Sequence, residues 1–159
     1  MDATCANFKH CVPAYPSDYA DCKDEMRMQF RHESKFIELI GAKLTDIGRE
    51  SATYVGLSKQ KPITVDSVRL IFDLGALVIE NPFTVDTGES LYNSSEDGCE
   101  TIMQMLIGAG VADAEFRHQS IDIRFDNGYQ VSISLRDEDF STPEAGNYQP
   151  NNGPIIVFD

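Results

Sequence analysis

The last 90 residues of this 159-residue chain contain no lysine. Residues 70 to 159 set 16 acids against only Arg117, Arg124 and Arg136, so the formal net charge of -13 belongs entirely to that stretch. Residues 1 to 69 are formally neutral, with ten basic and ten acidic side chains. Phosphate binding draws on clustered Lys and Arg that release counterions, so nucleic acid is not an expected ligand. An anionic membrane surface would repel the chain for the same reason. A basic protein or a cation is the partner this charge favours, and the plainer alternative is a surface that is merely well solvated.

Long apolar runs are also missing. The longest stretches, such as Leu74 to Ile79, fall far short of the ~20 residues that span a bilayer. Met1-Asp2-Ala3-Thr4-Cys5 places an acid at position 2 with no apolar segment behind it, so a secretory signal is not expected and the protein is read as cytoplasmic. Without secretion, the glycosylation pattern Asn93-Ser94-Ser95 has no use.

Catalytic motifs are absent in turn. There is no G-x-G-x-x-G or G-x-x-x-x-G-K phosphate loop, no G-x-S-x-G elbow and no H-E-x-x-H. Asp122 to Gly128 fails as a calcium loop because Arg124 and Phe125 occupy positions that should be ligands or spacers. His10, His32 and His118 are not linked to one another or to a thiol by spacing, so no enzyme and no cofactor are expected.

Close cysteine pairs are missing as well. Cys5, Cys11 and Cys22 cluster near the start and Cys99 stands alone, whereas structural zinc sites bring ligands in C-x2-4-C pairs. Reduced thiols are the expectation in a cytoplasm. Cys5, His10, Cys11 and Cys22 are the weak metal candidates, and a small-molecule or metal-binding module built on them is the alternative function.

With 42% hydrophobic residues, the chain has enough apolar material to fold as one domain. Its most informative feature is internal similarity. Leu39-Ile40-Gly41-Ala42-Lys43-Leu44-Thr45-Asp46 reappears as Leu106-Ile107-Gly108-Ala109-Gly110-Val111-Ala112-Asp113. Downstream, Val68 to Gly75 matches Ile121 to Gly128, with 14 extra residues in the first copy around Ser51 to Pro62. The polar Ser58-Lys59-Gln60-Lys61-Pro62 within them suits a hairpin loop.

In the second copy, Ser94 or Ser95 is expected to cap a helix running to about Leu106. Glu96 and Asp97 would lie in its first turn, Ile102, Met105 and Leu106 along one face, and Gly108 at its end. Three strands follow: Val111 to Arg117, Ser120 to Phe125 and Tyr129 to Leu135. Ile121, Ile123 and Phe125 alternate with Asp122, Arg124 and Asp126, the period of two of a half-buried strand. Asp126-Asn127-Gly128 supplies the turn.

In the first copy a helix is expected from near Ser17 to before Gly41, interrupted between Arg31 and Ser34. The strands Leu70-Ile71-Phe72 and Leu77-Val78-Ile79 are apolar on both faces, which predicts central positions covered on both sides. The expected fold is α+β, a largely antiparallel sheet of two helix-plus-three-strand repeats with the helices packed on one face. Residues 1-35 form an extension carrying part of the first helix, and 36-159 one α+β domain. Repeat one covers about 36-86, repeat two about 94-136, and a tail strand 153-158.

Ile79-Glu80-Asn81-Pro82-Phe83-Thr84-Val85-Asp86, the Leu106-Ile107-Gly108 turn and the Phe125-Asp126-Asn127-Gly128 hairpin occur in an order similar to a group of small bacterial proteins carrying "IENPF … llGxxV … LxlxFxdGxxlxV". The tail Asp137-Glu138-Asp139-Phe140-Ser141-Thr142-Pro143-Glu144-Ala145 resembles the "xedfxGPEA" ending of bacterial immunity proteins, which protect a cell from polymorphic or contact-dependent toxins. Thr142 stands where that ending usually has Gly. The resemblance spans about residues 36 to 159. It implies a protein that binds and neutralises a cognate toxin.

Two acidic clusters are the candidate contact residues. Glu89, Glu96, Asp97 and Glu100 fall in the loop and first turn of the second helix, and Asp137, Glu138, Asp139 and Glu144 follow the last long strand. Tyr92, Phe140 and Tyr148 lie beside them as candidate aromatic anchors. Nucleases carry basic clefts because they bind phosphate, so a basic nuclease blocked at its active site is the expected partner. The alternative is that the acids guard sheet edges and a helix start, and that the aromatics cap the core.

Overall fold

The computed structural model describes residues 35–54 and 62–159. Ten strands account for about half of that length: β1 (Leu44–Tyr54), β2 (Ile63–Phe72), β3 (Gly75–Ile79), β4 (Phe83–Asp86), β5 (Leu91–Asn93), β6 (Val111–Phe116), β7 (Ser120–Phe125), β8 (Gln130–Ser134), β9 (Gly146–Pro150) and β10 (Ile156–Phe158). Among the described residues there is one short α-helix, α1 (Cys99–Gln104), between β5 and β6, and a 3-10 turn, Asp137–Asp139, follows β8.

All the pairings between these strands are antiparallel, and they form two five-stranded sheets ordered β1-β2-β3-β9-β10 and β5-β4-β8-β7-β6. The expected α+β arrangement with packed helices is therefore wrong among the described residues. The physical reason lies in the strands themselves. Their alternating apolar residues, including Leu70, Leu77, Tyr148 and Phe158 from one sheet and Val85, Ile121, Ile123 and Ile133 from the other, bury into one shared cluster. Each sheet covers the apolar face of the other, so neither requires a layer of helices.

The two sheets have the same construction. Three consecutive strands (β1-β2-β3 or β6-β7-β8) are completed by a hairpin from the opposite half of the chain, β9-β10 on β3 and β4-β5 on β8. The halves also exchange backbone hydrogen bonds where their similar segments meet. Gly41 N–H donates to the Val111 carbonyl at 2.9 Å and Gly108 N–H to the Leu44 carbonyl at 2.8 Å. Leu44 N–H donates to Ala109 and Val111 N–H to Ala42, at 2.9 and 2.8 Å. Gly41 and Gly108 both hold positive φ, 86° and 94°, which L-residues with side chains rarely adopt.

The 14 extra residues of the first half lengthen one hairpin. β1 and β2 run 11 and 10 residues, against six each for β6 and β7. The tip expected at Ser58 to Pro62 lies outside the described residues except for Pro62. β3 occupies the centre of its sheet, as its two-sided apolar character predicts, with Val78 half-buried on the outer side.

The helices differ most from expectation. Positions 17 to 34 of the first lie outside the described residues, and residues 37 to 41 form a turn. The second begins at Cys99 rather than at Ser94 or Ser95, because Asn93 and Glu96 close a turn ahead of it. Glu96 Oε2 accepts the Asn93 N–H at 2.9 Å and Glu96 Oε1 accepts from Asn93 Nδ2 at 2.8 Å. Gly98, at φ 98°, then resets the chain. The apolar face is Cys99, Ile102, Met103 and Leu106, spaced i, i+3, i+4 and i+7, whereas Met105 is exposed.

Candidate functional site

The segments Ile79 to Phe83 and Thr142 to Ala145 lie against each other. β3 ends at Ile79, and Glu80-Asn81-Pro82 carries the chain to the other sheet at Phe83. A residue ahead of proline is held extended, which suits Asn81 to a crossing between sheets. Glu80 and Asn81 both donate their N–H groups to the Ala145 carbonyl, at 2.9 and 3.1 Å. Thr142 Oγ1 sits 2.8 Å from Glu80 Oε2 and 2.6 Å from the Glu144 carbonyl oxygen. The Thr142 hydroxyl thus holds the tail to the crossing.

Asn81 is the one polar residue in the buried set among the described residues, at 3% exposure. Its Nδ2 donates to the Ser134 carbonyl at 2.8 Å, while Oδ1 has no hydrogen-bond partner. A carbonyl can only accept, so Ser134 sets the amide's orientation and leaves Oδ1 as the open acceptor. Ser134 Oγ in turn donates to Asp139 Oδ2, binding the 3-10 turn to the end of β8.

Around this crossing two adjoining hollows of about 590 and 460 Å³ share Pro82, Phe83, Ser94, Ser95 and Asp139. The larger reaches Glu50 and Asp66 on the β1-β2 hairpin and includes Glu80, Asn81 and Ser141. The smaller reaches Arg136 and the hydroxyls of Ser120 and Ser132. Four carboxylates and one guanidinium, that of Arg49, line the larger hollow. Arg49 Nε lies 3.5 Å from Glu100 Oε2.

The candidate residues divide around this groove. Asp139 lines it, and Ser94 and Ser95 bring the start of the Glu96-Asp97 turn to the same place. Asp137 and Glu138 are exposed on the 3-10 turn next to Asp139. Glu96 is exposed but committed to Asn93, whose N–H holds its carboxyl below the usual range. Asp97 and Glu100 are exposed beside it. Glu89 is exposed in the loop joining β4 to β5, at the opposite end of that hairpin from Ser94 and away from the groove. Glu144 is half-buried and contributes its carbonyl to Thr142.

Of the aromatics, Tyr92 and Phe140 are half-buried and pack on the core. Tyr148 belongs wholly to the core, with 0% exposure and its ring edge-on to Phe36 at 5.3 Å between centroids, so it offers no surface to a partner. Burial pushes its hydroxyl's pKa up. It is placed there by the pairing of β9 with β3, where Tyr148 stands opposite Leu77.

Cys5, His10, Cys11 and Cys22 lie outside the described residues. Among the described residues no group of three or more His, Cys, Asp or Glu is placed to hold a metal. Cys99 is buried, and that burial raises its thiol pKa. No helix among the described residues is long and apolar enough to cross a membrane.

The basic side chains of the last 90 residues are unevenly engaged. Arg124 Nη2 lies 2.7 Å from Asp113 Oδ2, and Arg117 pairs with Glu115 and with Asp122, the latter at 3.0 Å. Lys35 joins the same network through Asp113 at 2.8 Å and Glu115 at 3.4 Å. These pairs lie on β6-β7, on the far side of the second sheet from β5.

Asn81, Glu80 and Thr142 are not among the contact residues that charge and aromatic content single out. The only signal for them in the sequence is the pair of motifs Glu80-Asn81-Pro82-Phe83 and Thr142-Pro143-Glu144-Ala145. Comparison of the chain with protein-family models, with curated proteins and with solved structures finds no match.

Proposed function

We propose that the protein is an immunity protein that binds a basic toxin domain, a nuclease by the logic of charge, and neutralises it by covering its active site. One observation carries this reading. Two of the three arginines of the acidic last 90 residues are paired in the β6-β7 network, while four carboxylates, those of Glu50, Asp66, Glu80 and Asp139, line the larger hollow at the sheet crossing. Negative charge concentrated beside a concave surface steers a cationic partner, and complementary fields raise association rates by ~10 to 1000-fold.

The reading assigns no catalytic residue to this chain. Its surface acts by occupying the partner's phosphate-binding cleft with carboxylates. The decisive test mixes the full-length protein with the toxin domain encoded immediately upstream of its gene. A stable complex by size-exclusion chromatography, together with survival of cells expressing that toxin, is expected. No complex and no protection would overturn the reading.

A further inference from the structure

Of the four strands at sheet edges, three are short or covered. β5 and β10 have three residues each. β6 is met by the chain ahead of β1, where Phe36 N–H donates to the Ala114 carbonyl at 2.8 Å and Gly41 N–H to that of Val111 at 2.9 Å. β1 differs. Apart from its bonds to β2 and a local bond from Ile47 N–H to Asp46 Oδ1 at 2.8 Å, its backbone from Thr45 to Thr53 has no hydrogen-bond partner among the described residues. An open edge of that length is a template for another strand, and proteins ordinarily blunt it with lysine, proline or a bulge. β1 has neither lysine nor proline, and its one bulge lies at its start, between Leu44 and Asp46.

Length alone would not make this edge a site. The second observation is Gly48, which stands inside β1 opposite Arg69 without the positive φ that calls for glycine. A Cβ there would meet only the Arg69 Cβ, at 4.0 Å, so packing within the chain does not call for glycine either. Glycine weakens a strand, and inside one it marks a place where a ligand or another backbone comes close.

The flanking residues give the newcomer its chemistry. Ile71, Arg69 and Ser67 alternate with the buried Leu70 and Phe72, so their partners Asp46, Gly48 and Glu50 form one row on the outer face of β1. That row reads acid, gap, acid. Glu50 Oε1 takes the Arg69 guanidinium at 3.2 Å in an exposed pair, and Oε2 has no partner among the described residues. β1 also lends Glu50 and Ser51 to the larger hollow, so the open edge begins where the carboxylates gather.

We propose that β1 is the anchoring edge, to which an extended segment of the protein partner adds as an antiparallel strand. Cationic side chains of that segment stand opposite Asp46 and Glu50, four residues apart, and an aromatic ring between them covers Gly48. Main-chain hydrogen bonds supply affinity in such an addition and the alternate side chains supply specificity. Aromatic rings fill the gap that a glycine leaves across a strand pair. The inference rests on the immunity reading for the identity of the partner, but not for the chemistry of the edge.

The test follows backbone amide exchange by NMR in the full-length, isotope-labelled protein with acetyl-Thr-Lys-Thr-Tyr-Thr-Lys-Thr-amide and with the same peptide carrying glutamate for both lysines. The lysine peptide is expected to slow exchange saturably between Thr45 and Thr53, and the glutamate peptide to bind about tenfold more weakly, since like charges then stand opposite each other. Gly48→Val is expected to melt no lower than wild type, because valine favours a strand, yet to bind the lysine peptide about fivefold more weakly with the gap filled. No protection along β1, equal binding of the two peptides, or a Gly48→Val variant that binds as wild type does would overturn the assignment.

Exchange in the complex with the upstream-encoded toxin separates this inference from the function it rests on. If that toxin binds and the β1 amides exchange as in the free protein, the edge is lost and the immunity reading stands. If the lysine peptide protects β1 and the toxin does not bind, the immunity reading is lost and the edge stands.

Discussion

The Thr142 hydroxyl lies 2.8 Å from Glu80 Oε2, a contact that spans 62 residues of sequence and joins the tail to the crossing between the two sheets. The same hydroxyl reaches the Glu144 carbonyl at 2.6 Å, so its single proton serves two acceptors of the same junction.

Replacing Thr142 by valine keeps the shape and removes the hydroxyl. Loss of about 1 kcal/mol of stability is expected, the ordinary net worth of a hydrogen bond with a charged acceptor discounted for partial exposure. Urea unfolding of Thr142→Val and Thr142→Ser, the latter expected to stay close to wild type, measures it. A valine variant as stable as wild type would show that the contact is incidental.

Gly146 and Gly128 make opposite predictions for the same substitution. A Cβ on Gly146 would stand 2.1 Å from the Val78 carbonyl oxygen, inside the β3-β9 pairing, whereas one on Gly128 would meet nothing within 4 Å. Gly128→Ala therefore carries only the strain of its φ of 87°, roughly 1 kcal/mol. Gly146→Ala must push the paired backbones of β3 and β9 away from each other at the junction of the chain's halves and is expected to cost roughly 3 kcal/mol or more. Thermal melts of the two variants give the order, and equal melting temperatures would contradict the exchanged-hairpin topology.

The Lys35-Asp113-Glu115 network predicts a pH dependence with a definite sign. Asp113 is held below the ordinary carboxylate value chiefly by the hydrogen bond from Lys35. Glu115 is lowered chiefly by Arg117, and Lys35 is raised chiefly by Asp113. A carboxylate lowered in the folded state stabilises fully above its unfolded pKa, about 4, and loses that contribution as pH falls through the folded value. Lys35 has the opposite sense, with stability present below its unfolded pKa and lost as pH rises through its raised folded one. Both groups lie at the surface, so the effect is small and screened by salt. Asp113→Asn is expected to make the acid limb of the stability curve shallower at low ionic strength. An acid limb unchanged by this substitution would show that Asp113 contributes nothing through its charge.

Charge reversal of Asp137 and Glu138 to lysine tests steering apart from anchoring. Both side chains are exposed on the 3-10 turn beside the groove. Association with the upstream-encoded toxin is expected to slow about tenfold at low salt and to approach the wild-type rate at high salt, with little change in the dissociation rate. Rates and salt dependence that stay the same would make these acids a solubility feature.

Local chemistry is legible in the order of residues. The alternation at Ile121-Ile123-Phe125, the Asp126-Asn127-Gly128 turn, the central place of Leu77-Val78-Ile79 and the location of the charge all follow from side-chain period and turn preference, which act between near neighbours. The helix expected over 94 to 106 is cut short because Asn93 and Glu96 satisfy each other before a helix can begin and Gly98 then turns the chain. The layering departs from expectation for a longer-range reason. An apolar strand face demands a cover without naming it, and a second sheet serves as well as a helix. Only the tertiary structure decided that each half lends its last hairpin to the other, and that Tyr148 therefore belongs to the core. The groove exists for the same reason. Its floor, Asn81, Pro82 and Phe83, and its wall, Asp139, meet only because the start of β9 and the end of β8 bring Ala145 and Ser134 to the Glu80-Asn81-Pro82 crossing, a contact no local preference encodes.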